Sequence, residues 1–219
     1  MWPDVEARIL IAPAMGAGFA EYLLTMRAGQ GTKVAADDRI ETFFYVLSGE
    51  FRLRIEDDLP QPLKSGAYAL VGPHTDFEVR TVSDGTLLML RKAFEPISGV
   101  APPRAVIGDV TKISGEPFQG DEGARLQMLL PDELAFDLAM NIFTFEPGHS
   151  LPVVETHVME HGLYFLQGKG VYFLDNEWME VEAGDFIWMG PFVPQSFYAT
   201  GPIPAKYIYY KNVNRDVAL

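Results

Sequence analysis

Apolar and polar positions along this chain alternate in short runs, and the runs are the right length for strands. FAEYLLTM (19–26), TFFYVLSGEFRLRIE (42–56), AYALVG (67–72), GTLLMLRKAF (85–94), NIFTFEPG (141–148), LYFLQGKGVYFL (163–174), DFIWMG (185–190) and KYIYYKNV (206–213) are rich in aromatic and branched residues. Gly, Pro, Asp and Asn punctuate them, which is the pattern of a sandwich or barrel. The pattern predicts an all-β fold. Its best helix candidate is PDELAFDLAM at 131–140, whose end can also continue as strand.

The pattern also repeats at an offset of about 118 residues. FYVLSGEFRLRIE (44–56) lines up with YFLQGKGVYFLDN (164–176), each with a glycine between two apolar runs, and KSGAYALVGP (64–73) lines up with EAGDFIWMGP (182–191). Two barrel-like halves are therefore predicted, 1–97 and 126–219. A turn-rich connector is expected over 98–125.

Composition narrows the classes. A net charge of −13 excludes the basic patches that nucleic acid or an anionic membrane surface requires. It also means that a site for an anion needs locally placed positive charge. With no cysteine, disulfides, thiolate zinc sites and a cysteine nucleophile are ruled out. No run reaches transmembrane length, and the first residues lack the apolar core of a signal peptide. The expectation is a soluble, cytoplasmic protein.

Candidate chemistry concentrates in VVETHVMEHGLYFLQG (153–168), which holds Glu155, His157 and His161 in a chain with four histidines. His157-Val158-Met159-Glu160-His161 spells H-x-x-E-H, a zinc-protease pattern if helical. Glu155-x-His157 instead puts both side chains on one face of a strand. Val153, Val154, Thr156 and Val158 are β-branched, and Gly162 would stop a helix early, so strand is predicted. On a straight strand His157 and His161 lie roughly 13 Å apart, so both reach one ion only if the chain turns back near Met159-Glu160. Of the other two histidines, His74 reads as a loop or pocket residue and His149 as misplaced for a ligand set. Trp188 and Met189 read as core. On the last strand Tyr207, Tyr209 and Lys211 share a face, which is either site or barrel filling.

These residues together resemble a bicupin. The chain shows Gly148-x6-Glu155-x-His157-x3-His161-x6-Gly168, where cupins in general carry G-x5-H-x-H-x3,4-E-x6-G. In GDFIWMGPFVPQ, Gln195 stands where the last cupin histidine would be. The Glu/His/His/Gln set, with IAPAMGAGF, GLYFLQGKGVYFL, AGDFIWMGPFVPQSFYATG and YIYYKNVNR, resembles the (S)-ureidoglycine aminohydrolase family over nearly the whole chain.

The resemblance implies two tandem cupin barrels, of double-stranded β-helix or jelly-roll type. It implies Mn2+ on Glu155, His157, His161 and Gln195, with Fe2+ or Zn2+ able to occupy the site in vitro. Glu155, Tyr207 and Lys211 are then the catalytic residues, Glu155 carrying a proton and Tyr207, Lys211 and Gln195 contacting the substrate; by its place in the strand after Gly170, Tyr172 is a further candidate contact. The reaction would release ammonia from a small ureido acid during purine breakdown. Through the internal repeat, Ala36, Asp38, Thr42 and Phe77 fill the ligand positions of the first half, which is therefore expected to be metal-free. A homo-oligomer is expected, because bicupins cover open strand edges by pairing subunits. Two other readings stay open: a metal-dependent oxygenase or isomerase on a small carboxylate, and a non-enzymatic cupin that binds a small molecule.

Overall fold

The computed structural model describes residue 2 and residues 4–215. The chain divides into two units, 1–112 and 113–219. Unit 1 contains β1 (Glu6–Ile11), β2 (Phe19–Met26), β3 (Gly31–Val34), β4 (Ile40–Ser48), β5 (Glu50–Ile55), β6 (Gln61–Lys64), β7 (Ala67–Val71), β8 (Phe77–Thr81), β9 (Gly85–Ala93) and β10 (Val106–Asp109). They form two sheets, ordered β1-β2-β9-β4-β7-β10 and β3-β8-β5-β6. Unit 2 contains β11 (Glu116–Phe118), β12 (Asp121–Met128), β13 (Leu138–Phe145), β14 (His161–Gln167), β15 (Lys169–Leu174), β16 (Glu177–Glu182), β17 (Phe186–Met189), β18 (Gln195–Ala199) and β19 (Ala205–Asn212). Its sheets run β11-β12-β13-β19-β14-β17 and β16-β15-β18.

The repeat read from the sequence is a repeat of topology. The order β2-β9-β4-β7 in unit 1 matches β13-β19-β14-β17 in unit 2, and β8-β5-β6 matches β18-β15-β16. Both units turn their central hairpin on glycine: Gly49 (φ 86) joins β4 to β5, and Gly168 (φ 74) joins β14 to β15. A Cβ at Gly49 would lie 2.6 Å from the Asp84 carbonyl oxygen, and one at Gly168 2.6 Å from that of Pro204. Left-handed backbone and close approach thus both demand glycine at these points. Two sheets per unit with apolar inner faces make the all-β, two-barrel fold that the alternation predicted.

Three local expectations differ from what is observed. The segment 131–140 is not a helix: Pro131–Asp137 is turn and irregular chain, and β13 begins at Leu138. β13 pairs on both sides, with β12 and β19, and those ladders outweigh a weak local helix preference. The stretch before His161 is not regular strand either. Glu155 makes an isolated bridge to Gln195, the chain then runs irregularly through Glu160, and β14 starts at His161. Finally, 98–125 is not one connector but is divided between the units, irregular up to residue 105 and strand-bearing after it. β10 pairs with β7 in unit 1, and β11 and β12 extend the large sheet of unit 2. Among the described residues no helix is long and apolar enough to cross a membrane.

Candidate metal and substrate site

The core of unit 2 is aromatic. Phe143, Phe145, Phe165, Phe197, Tyr172, Tyr207 and Tyr209 are buried together, with ring centroids 5–6 Å apart in most pairs. Large flat rings stack but do not interdigitate as branched aliphatics do, and here a cavity of about 620 Å³ remains on the inner face. Its walls include Glu155, His157, His161, Tyr172, Gln195, Tyr207 and Lys211, the residues singled out from the sequence. It also includes Asn141 and Tyr209.

Strand register places the parts. His161 opens β14 opposite Lys211 on β19, and Lys211 in turn faces Ala139 on β13. Lys211, Tyr209 and Tyr207 alternate inward along β19, so the shared face is the cavity face. Glu155 and Gln195 are fixed to each other by paired backbone bonds, Glu155 N–H to Gln195 O at 2.8 Å and Gln195 N–H to Glu155 O at 2.9 Å. The backbone N–H of Phe192 donates to the His157 carbonyl at 2.7 Å, which anchors the irregular segment on the loop before β18. The chain turns back between His157 and His161, as a common site requires.

The two imidazoles meet edge to face, at 87°, with Nε2 of His157 3.0 Å from Nε2 of His161. Each Nδ1 lies 3.0 Å from a backbone carbonyl oxygen, of Met159 for His157 and of Tyr210 for His161. A carbonyl only accepts, so each Nδ1 carries the proton and each Nε2 presents its lone pair. Burial, the largest cause, pushes the His161 pKa down to about 3 and keeps that ring neutral. Two lone pairs facing each other at this distance repel unless a cation lies between them. The Gln195 side-chain amide is also 3.0 Å from His157 Nε2. Two donors at right angles about one ion, each at about 2.1 Å, stand about 3 Å apart, so this spacing suits an ion-binding set.

The donor set therefore fits a hard divalent ion, with one qualification of chemistry. Among the described residues no three histidine, aspartate or glutamate side chains converge on one point. The converging groups are two imidazoles and an amide, with Glu155 on the adjoining wall. Burial raises the Glu155 pKa against the lowering influence of His157 and Lys211. As placed, the Gln195 amide turns its N–H toward His157 while its Oε1 accepts a bond from the Tyr172 hydroxyl at 3.0 Å. Amide oxygen and nitrogen exchange by a half-turn, and the Tyr172 oxygen can accept in place of donating. Tyr207 hydrogen-bonds Tyr172 in turn, and burial pushes both phenols well up from their usual pKa. Tyr172, expected as a substrate contact, thus lines the cavity with its hydroxyl bound to Gln195.

The remaining histidines lie outside this cavity. His74 is an exposed loop residue with φ 61, its Nδ1 3.3 Å from Asp38. His149 pairs with Asp121 at 3.0 Å and packs over Gly123, which leaves no room for a Cβ there. Met189 is buried, but Trp188 is only half-buried and its indole N–H donates to Glu160 at 3.2 Å, so it is not a simple core residue. Asn141 was missed. An asparagine in NIFTF reads as a strand's solvent side, and only the register shows that it faces inward.

Known proteins place this architecture. The Cupin domain family matches residues 141–210, the stretch that carries the cavity. The (S)-ureidoglycine aminohydrolase of Escherichia coli is 37% identical over 99% of this chain and 84% of its own length. That of Arabidopsis thaliana is 33% identical over 98% and 71%. Among solved structures, the E. coli protein Ylba superimposes with a TM-score of 0.86 at 33% identity, over all of this chain and 86% of that one. A Pseudomonas aeruginosa protein described as a putative glyoxylate induced protein gives 0.91 at 32%, over all of this chain and 83% of that one. The oxalate decarboxylase of Bacillus subtilis, described with Mn(II) centres, shares the fold at 11% identity, with a TM-score of 0.75 over 99% of this chain and 77% of that one. With this identity sustained across nearly its full length, the chain is a hydrolase-family bicupin and belongs to the (S)-ureidoglycine aminohydrolase family.

Proposed function

We propose that this protein releases ammonia from (S)-ureidoglycine to give (S)-ureidoglycolate, with Mn(II) held by His157, His161, Gln195 and Glu155. The observation that carries the reading is the pair of Nε2 lone pairs 3.0 Å apart, with an amide at the same spacing, in a cavity that also holds a carboxylate and an ammonium. When bound, the ion supplies Lewis acidity and a fixed point for orienting the substrate.

The protein's own groups supply the rest. Lys211 gives a net-acidic chain the local positive charge that a substrate carboxylate requires. In the reaction one C–N bond breaks and one C–O bond forms at the same carbon, water loses a proton and the departing amine gains one. Glu155 is half-buried, on the cavity wall, with its pKa raised by burial, which suits it to take that proton and return it. Tyr207 and Tyr172 close the floor and exclude bulk water. The substrate is a small ureido acid, the protein acts as a homo-oligomer, and neither nucleic acid nor a membrane is a partner.

The test is ammonia release from ureidoglycine generated in situ from allantoate, against the uncatalysed rate. Protein loaded with Mn(II) is expected to release ammonia rapidly, with a loss of about 10²-fold or more in Glu155→Gln. Release at the uncatalysed rate by protein with a full equivalent of bound metal would sink this reading.

A further inference from the structure

Asn141 is a buried polar residue of the cavity whose chemistry the proposed reaction leaves unused. It sits on β13 with Tyr209 of β19 and Met128 of β12 as register partners, in the row next to the one holding His161, Lys211 and Ala139. The row beyond it holds Phe143, Phe165 and Tyr207. Asn141 is 5% exposed and lines the cavity. A side-chain amide has two N–H donors and an oxygen with two lone pairs. Tyr209 takes one of these positions through a side-chain hydrogen bond with Asn141. Leaving an amide buried among rings and aliphatics is costly unless its remaining groups find partners.

We propose that Asn141, steadied by Tyr209, docks the carbamoyl end of the substrate and thereby selects ureido acids over plain amino acids. This rests on the reading above and adds to it the group that sets substrate class. A carbamoyl group is flat, with a carbonyl acceptor beside N–H donors. It can pair with an amide through two parallel hydrogen bonds, the fork by which asparagine reads the edge of an adenine. The spacing agrees. Two residues of β19 separate Tyr209 from Lys211, roughly 7 Å of strand. A ureido acid places one carbon and one nitrogen between its carboxylate and its carbamoyl carbon. Ala139, opposite Lys211 and two residues before Asn141, adds only a methyl group to the wall beside Lys211.

The experiment compares two unreactive ligands by calorimetry on the full chain: N-carbamoylglycine, and N-acetylglycine, which has a methyl group in place of the terminal amine. The wild type is expected to bind the carbamoyl ligand about tenfold more tightly, the effect of one net hydrogen bond. Asn141→Leu, which keeps bulk and removes hydrogen bonding, should bring the two within about twofold of each other. Asn141→Ala gives the same comparison without added volume, and circular dichroism checks that both variants are folded. A merely structural Asn141 would weaken both ligands alike and leave their ratio unchanged, and that result overturns the proposal. So does a wild type that does not separate the ligands. Ammonia release by the wild type is scored separately. If it occurs while the ratio ignores Asn141, only the carbamoyl assignment falls.

Discussion

The two barrels are built to one plan, and the cavity of about 620 Å³ lies in unit 2. Where unit 2 has Tyr172, Gln195, Tyr207 and Tyr209, the matched strands of unit 1 carry Leu53, Phe77, Leu87 and Met89, all apolar and buried in one cluster. Where β14 opens with His161, β4 has Thr42, 3% exposed. Branched and flexible aliphatics fill a barrel to close packing. Phenols whose hydroxyls must reach partners hold each other apart along fixed lines, and the space between them becomes a site. Packing density and catalytic capacity are opposite uses of one topology.

The harshest way to break this comparison is to transplant the ligands. Ala36→Glu, Asp38→His, Thr42→His and Phe77→Gln together copy the proposed set into unit 1. No second equivalent of metal should bind, and the thermal midpoint should fall by several degrees, since the change at Phe77 alone costs about 2–5 kcal/mol through lost burial and an unpaired buried amide. Metal analysis showing two ions per chain at an unchanged midpoint would mean that packing is not what separates the halves.

A milder change sharpens it within unit 2. Tyr172→Phe keeps the ring and deletes the hydroxyl that holds Gln195. Metal affinity, read by competition with a chelator, should weaken about tenfold, as when an outer hydrogen bond to a ligand is lost. Stability should change by only about 1 kcal/mol. Unchanged affinity would make Tyr172 wall material, equivalent to Leu53.

The remaining prediction concerns unit 1. Glu21 on β2 is 1% exposed, its Oε2 lacks a hydrogen-bond partner, and burial raises its pKa to about 8. The folded state therefore holds a proton that the unfolded chain gives up above its ordinary value of 4.5. The associated stability is complete below that value, declines as pH rises toward 8, and is flat beyond it. In Glu21→Gln the urea midpoint should fall less between pH 5 and pH 8.5 than in the wild type. Equal slopes would show that Glu21 is not the group responsible.

Much of this was legible in the chain. Alternation located the central strands because each buries one face, and equivalent glycines marked the hairpins because both need positive φ. That Glu155, His157, His161 and Gln195 belong together could be read from spacing and family likeness, since the segments that bring them to one cavity are short and local. Illegible were features set by distant neighbours. The direction Asn141 faces depends on its register with Tyr209, and Pro131–Asp137 looked helical because nothing local announces the two ladders that claim the following residues. The bond from the Tyr172 hydroxyl to Gln195 is equally hidden, because it joins two different strands.

The strands within 98–125 also bear on how the protein can be taken apart. Expressing the C-terminal barrel from residue 126 would discard β11 and most of β12, leaving the outer edge of β13 with unpaired backbone and the apolar flank of Leu126 uncovered. Such an edge recruits other chains, and the fragment would come out as aggregate. Cut between 112 and 113, each half retains every strand that its own sheets pair. Any fusion, truncation or circular permutant of this bicupin has that one seam to work with.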